Sequence, residues 1–227
     1  MRFTLLLLLV LLVLPAEAKV PTPSESSLEF YATLASRSQL ESRETYLRCT
    51  QRAKAVFLKQ GGLIELDPSV PTLVLPDLHA QRDYLLAALE LRLASGRVFE
   101  MMASNKLQVL CLGDGMHSEN RAVSRWLKAE EDMLAGQKSE AMRAEMVESL
   151  GLLRMVMELK CRFPRRFYFL RGNHEDMDPK MPYRKFTRSG ESNLVRSWII
   201  GEFGADFLKQ WHSCEQSMPL VARGGSF

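Results

Sequence analysis

A chain of 227 residues has room for one sizeable domain with its own core, and 46% hydrophobic with 25% charged residues excludes disordered, collagenous and fibrous classes. Thirty basic against 27 acidic residues leave a formal charge of +3, too near balance for the basic footprint of a nucleic-acid-binding domain, so no nucleic-acid partner is expected.

Met1-Arg2 gives a short positive start, Leu5 to Leu14 is an unbroken apolar run, and Pro15-Ala16-Glu17-Ala18 follows. The run is about half of the roughly 20 residues a spanning helix needs, and Ala16 and Ala18 are the small residues a signal peptidase requires. The expectation is a signal peptide over 1–18, cleaved before Lys19, with export to a periplasmic or extracellular space and no stable membrane span afterwards. An uncleaved anchor is the alternative. Export would place Cys49, Cys111, Cys161 and Cys214 where disulfides persist. Their spacing contains no C-x-x-C pair, so neither a zinc ribbon nor a thioredoxin-type motif is supported. Cys111, inside Leu110-Cys111-Leu112, reads as a small buried hydrophobe.

Residues 19–27 are rich in Pro, Ser and Thr and read as a linker. Over 28–62, Leu40, Leu47, Val56 and Phe57 fall at roughly helical spacing and Gly61-Gly62 supplies a stop, which predicts a helical preface. Residues 63–227 form the main unit. Leu73-Val74-Leu75, Gln108 to Leu112 and Phe167 to Leu170 are short apolar runs suited to buried strands, separated by helical patterns over Arg82–Leu93, Arg121–Leu134 and Glu140–Lys160. That alternation predicts an α/β fold with a mainly parallel sheet covered by helices, and ligands bind such sheets beyond the carboxyl ends of the strands.

The residues at those ends are Asp77-Leu78-His79, Gly113-Asp114 and Arg171-Gly172-Asn173-His174-Glu175. Strand alternation would project Asp77 and His79 to one side, where a carboxylate oxygen and an imidazole nitrogen can hold one ion. Asp114 can bridge two ions, Asn173 offers an amide oxygen to the second, and His174 is left near the substrate. Arg171 offers either a guanidinium fork for phosphate or a structural pairing with a carboxylate. Gly-Asn-His-Glu arises by chance in only about one such chain in a thousand, so it outweighs the commoner Asp-x-His and Gly-Asp pairs.

These motifs resemble the first three motifs of the calcineurin-like metallophosphoesterases. Leu159 to Phe167, a helix end, a proline and a strand entry, is similar to the approach found in the serine/threonine phosphoprotein phosphatase group, and the resemblance covers about residues 70 to 220. It implies that 63–227 is the N-terminal part of such a domain and that Asp77, His79 and Asp114 hold one metal. Asp114 and Asn173 would begin the second site, and His174 would protonate the leaving alkoxide. The implied cofactors are divalent metal ions, two in a complete enzyme, and manganese, iron and zinc all suit these ligands. The implied activity is hydrolysis of a phosphoester, on a protein or a small molecule, by a metal-activated hydroxide.

Two departures qualify the resemblance. The family continues its second motif as Gly-Asp-x-Val-Asp-Arg-Gly, where this chain reads Gly113-Asp114-Gly115-Met116-His117-Ser118-Glu119-Asn120-Arg121. The carboxylate that would orient the catalytic histidine is replaced by His117 and the phosphate-gripping arginine by Ser118. His117, Glu119 or Arg121 could substitute; Arg121 has the charge to hold phosphate, though it opens a helical stretch where it can be simply solvated. The family also draws two more histidine ligands from later strands, and beyond His174 only His212 remains, in a helical pattern. The expectation is therefore an incomplete sheet sandwich with weak or absent turnover. The alternatives are a non-catalytic metal- or phosphate-binding module and a truncated product.

Overall fold

The computed structural model describes residues 25–36, 39–177 and 191–224, so the expected signal segment lies outside the described residues. Helix α1, Glu25–Ser36, starts inside the stretch read as linker, and the helical preface is two helices, α1 and α2, Arg43–Gln60. Ser42 caps α2 by accepting the Thr45 N–H at 3.2 Å. Gly61 closes it at φ 81°, its N–H donating to the Phe57 carbonyl.

Strands β1, Leu63–Glu65, and β2, Thr72–Leu75, lead into α3, Arg82–Glu90. The helix expected to reach Leu93 stops at Glu90, because Arg92–Leu93 (β3) folds back on Gly96–Arg97 (β4) through a turn at Ala94–Ser95, after which Gly96 takes φ 137°. After α4, Val98–Ala103, come β5, Gln108–Cys111, a 3-10 turn over Glu119–Ala122, α5, Val123–Leu134, and α6, Glu140–Arg162. Strand β6, Phe167–Phe169, is followed by α7, Glu191–Phe203, α8, Ala205–Glu215, and β7, Val221–Arg223. Among the described residues no helix is long and apolar enough to cross a membrane. All four cysteines are free thiols.

Strands β2, β5 and β6 form a parallel sheet in that order, with Leu75 beside Cys111 and Cys111 beside Phe169. Buried side chains on both faces explain why β5 and β6 are nearly continuous apolar runs, whereas the edge strand β2 leaves Val74 exposed. Leu75, Val109, Cys111, Phe167 and Phe169 belong to the large core shared with α2, α3, α6 and α8, while Leu110 and Tyr168 pack on the other side against Ile64 and Leu66. The parallel pair β1 and β7 thus sits over the second face.

Besides its apolar contacts, helix α6 is tied to the start of β6 by a buried lysine. Lys160 is fully buried; its Nζ donates to the carbonyls of Pro164 at 2.8 Å and Phe167 at 3.1 Å and lies 4.5 Å from the centre of the Tyr168 ring. These contacts fix the turn that delivers β6, and so the loop after it. Burial pushes the Lys160 amine down from about 10.5 to about 7. Because the folded state then releases its proton earlier, the unfolded state binds more protons between those values, and stability should rise with pH across that window. Chemical denaturation of wild type and Lys160→Met between about pH 7 and pH 10 checks this: the wild type should gain stability that the variant does not.

Candidate metal centre

Each predicted motif falls just past a strand end, but the proximity of Asp77 and His79 does not come from strand alternation. Strand β2 ends at Leu75, and His79 and Ala80 adopt φ 41° and 57°. The loop is shaped instead by pairing with the loop after β5: Leu78, His79 and Ala80 donate to the carbonyls of Gly113, Asp114 and Gly115 at 3.2, 2.7 and 2.9 Å. Asp114 itself takes φ 45°, a conformation uncommon for residues with a side chain and concentrated at functional sites.

Asp77, His79 and Asp114 come together, with one ligand atom of each lying within 4.8 Å of the others. Asp77 Oδ2 is 4.0 Å from His79 Nε2, Asp77 is half-exposed, and Asp114 is buried. Two carboxylates and an imidazole converging at that distance fit a divalent cation of the manganese, iron or zinc type. Among the described residues this is the single such group of three or more acidic, histidine or cysteine side chains. Asn173, expected to serve a second ion with Asp114, is exposed in the loop beside His174.

The third loop is held against the second by Glu175, to which the sequence reading gave no part. Its buried carboxylate accepts the N–H groups of Gly115 at 2.7 Å, Asp114 at 2.9 Å, Gly172 at 2.9 Å and Met116 at 3.4 Å. Burial pushes this carboxyl up to about 8 and the Asp114 charge adds to the rise, against the N–H donors of Gly172 and Gly115. The loops touch so closely that a Cβ on Gly172 would lie 2.1 Å from Asp114 Oδ1, and one on Gly113 2.7 Å from the Gly172 nitrogen. Asp114 Oδ1 in turn accepts the His174 N–H at 2.8 Å. The His174 ring is buried, with centroid distances of 5.4 Å to His79 and 5.0 Å to His117.

Both arginines expected at phosphate have other partners. Arg171 donates from Nε to the Glu175 carbonyl at 2.9 Å, from Nη2 to Asp176 at 3.1 Å and from Nη1 to Gln216 at 3.3 Å. Of the two roles left open for it, the geometry supports the structural pairing. Arg121 is bound to Glu148 at 2.7 Å, although it remains partly exposed on an open groove of about 900 Å³ beside Ala80 and Gln81. His212 lies on α8 with its Nδ1 3.8 Å from Asp176 and 3.7 Å from Glu215, and is not one of the converging ligand group. The signal for Glu175 was present in Gly-Asn-His-Glu, but its partners are backbone groups that a sequence does not display.

Comparison with known proteins agrees with this geometry. The family model of the calcineurin-like phosphoesterases matches residues 70–224. Among solved structures, a protein serine/threonine phosphatase from Saccharomyces cerevisiae, described as similar to human phosphatase PP5, matches at 17% identity with a TM-score of 0.55. The match covers 87% of this chain and 51% of that one, so the chain spans about half the length of that structure. At that identity the likeness shows the fold. The search of curated proteins gives no match. With the family match extending over most of the chain and enclosing all three loops of the site, this chain belongs to the calcineurin-like phosphoesterase family.

Proposed function

We propose that the chain hydrolyses phosphomonoesters with a divalent cation held by Asp77, His79 and Asp114, and that His174 donates the proton to the leaving oxygen. One observation carries the reading: three ligand atoms converge within 4.8 Å, and the buried His174 ring lies against the ring of His79. A divalent ion bound there supplies a Lewis acid for the phosphoryl oxygens and a nucleophile at neutral pH. The protein's own part is positional. Asp114 holds the His174 backbone through its N–H, Glu175 fixes both loops, and burial of the His174 ring keeps bulk water from competing for its proton.

A phosphoprotein is the favoured substrate. The half-exposed Asp77 and exposed Asn173 leave the centre open to a macromolecule, and the groove beside it can seat the chain flanking a phosphorylated residue. The solved structure with the same fold is described as a protein serine/threonine phosphatase, which supports the same choice. Export of the mature chain is proposed from residues 1–18, and N-terminal sequencing of material outside the cytoplasm should begin at Lys19; a product retaining Leu5 to Leu14 would point to an anchor instead.

Manganese titrated into the purified chain, followed by calorimetry, should show one strong site. Asp77→Asn and His79→Ala should each weaken it by about tenfold or more, and unchanged affinity in both would refute the ligand assignment. Phosphate release from an aryl phosphate and from a phosphopeptide, with manganese present, tests the reaction. Asp114→Asn should abolish release, and His174→Ala should lower kcat by roughly a hundredfold or more. A chain that binds one ion and releases no phosphate would instead be a metal-binding module.

A further inference from the structure

The second half of α5, the first turn of α6 and one face of α7 enclose a pocket of about 340 Å³ whose lining includes no residue of the metal centre. Ala129, Met142 and Leu194, all buried, form its floor, and Met133 and Trp198 stand at its sides. Trp198 is set edge-on to Phe203 with the ring centres 5.8 Å apart, and Ser139 fixes the start of α6 by accepting the Met142 N–H at 3.1 Å. Lys138, Glu140 and Glu202 are exposed at the rim.

The pocket is held open by sequence as well as by packing. Gly201 lines it from the last turn of α7, where alanine would favour the helix, and a Cβ there would meet nothing within 4 Å. A larger residue would both strengthen the helix and fill the space, and glycine does neither. An apolar lining without a partner also forgoes dispersion contacts. A hollow apolar within and polar at the mouth has the form of a binding site for an apolar group.

Its neighbour indicates which apolar group. Arg143 lines both the pocket and the open groove beside Ala80 and Gln81, so the two hollows adjoin at the first turn of α6. The groove follows one face of that helix through Arg143, Val147 and Gly151. It passes the metal centre at Glu148, which holds Arg121, whose Nη2 lies 3.5 Å from the His79 carbonyl. Arg143 is about 7.5 Å from Glu148 along the helix axis, at about 1.5 Å per residue. An extended peptide advances about 3.3 Å per residue, so a chain with its phosphorylated residue at the centre reaches the pocket about three or four residues away. We propose that the pocket is a specificity subsite that takes a bulky apolar side chain, such as Phe or Leu, carried at that distance from the phosphorylated residue. The proposal rests on reading the centre as acting on phosphoproteins, and it adds a sequence preference that the metal ligands do not supply.

Fluorescein-labelled peptides with a phosphonate in place of the phosphoserine phosphate, and with Phe or Ala at the third or fourth position on either side, test this by fluorescence anisotropy with the full chain and manganese. One Phe peptide should bind at least about tenfold tighter than its Ala counterpart. In Gly201→Leu, which fills the pocket, that preference should fall below about twofold, while phosphate release from an aryl phosphate stays within about twofold of wild type. Trp198→Ala, which removes one wall, should also reduce the preference, and it decides alone if Gly201→Leu does not fold by circular dichroism. Equal or absent binding of the Phe and Ala peptides by the wild type, or a preference that survives in the folded variants, would overturn the proposal. Equal affinity for the Phe peptide without its phosphonate would overturn it too, by making the pocket a docking site independent of the centre. A wild type that keeps the preference and releases no phosphate would refute the proposed reaction and leave the subsite standing.

Discussion

Four peptide N–H groups from two loops, those of Asp114, Gly115, Met116 and Gly172, converge on the buried carboxylate of Glu175, and the geometry of the whole centre depends on that convergence. A backbone donor turned away from water has to be matched, and here one side chain matches donors more than 50 residues apart in sequence. The match forces Gly113 and Gly172 into contact closer than any Cβ would allow. That contact brings Asp114 Oδ1 to the His174 N–H. The first loop then aligns on the second through the bonds of Leu78, His79 and Ala80. Asp77, His79, Asp114 and His174 are thus placed largely by bonds to the backbone.

Helix α6 extends the same constraint into the core. At its carboxyl end Lys160 fixes the turn into β6, and therefore where the Gly172–Glu175 loop begins. Two turns and more upstream, Glu145 and Ser149 hold His117 and Ser118, and Glu148 holds Arg121 and Arg125. Buried polar groups on a core helix are costly unless they are satisfied, and here each of these has partners in the loops above the sheet. The helix both covers the sheet and registers two of its three functional loops.

The fold was legible because its signals are local. Leu73–Leu75, Gln108–Cys111 and Phe167–Phe169 are apolar runs bounded by turn formers, and parallel strands of a helix-covered sheet have that composition, most fully in the buried β5 and β6. Asp77, His79 and Asp114 could be named for the same reason, since their chemistry is carried by residue type and place. What brings Asp77 and His79 together was not legible, because left-handed backbone at His79 and a loop-to-loop ladder leave no composition of their own. The role of Glu175 was hidden because its partners are peptide groups, which every residue has. The pairing of Arg121 with Glu148, 27 positions away, and of Arg171 with Gln216, 45 positions away, depends on the fold being complete before the partners are known.

Those two pairings also decide the charge of the centre. Asp77 and Asp114 gather negative charge where the loops meet, while Arg171 is paired with Asp176 and Arg121 with Glu148, the Arg121 Nη2 also lying 3.5 Å from the His79 carbonyl. The proximity of Asp114 contributes to the rise of the Glu175 carboxyl, which records the repulsion among these groups. In a partly buried site such repulsion is screened less than on an open surface. A cation held by Asp77, His79 and Asp114 would relieve it. The paired carboxylates and the converging imidazole thus favour a cation as occupant, and the loops that bring them together are those that the buried Glu175 holds in register.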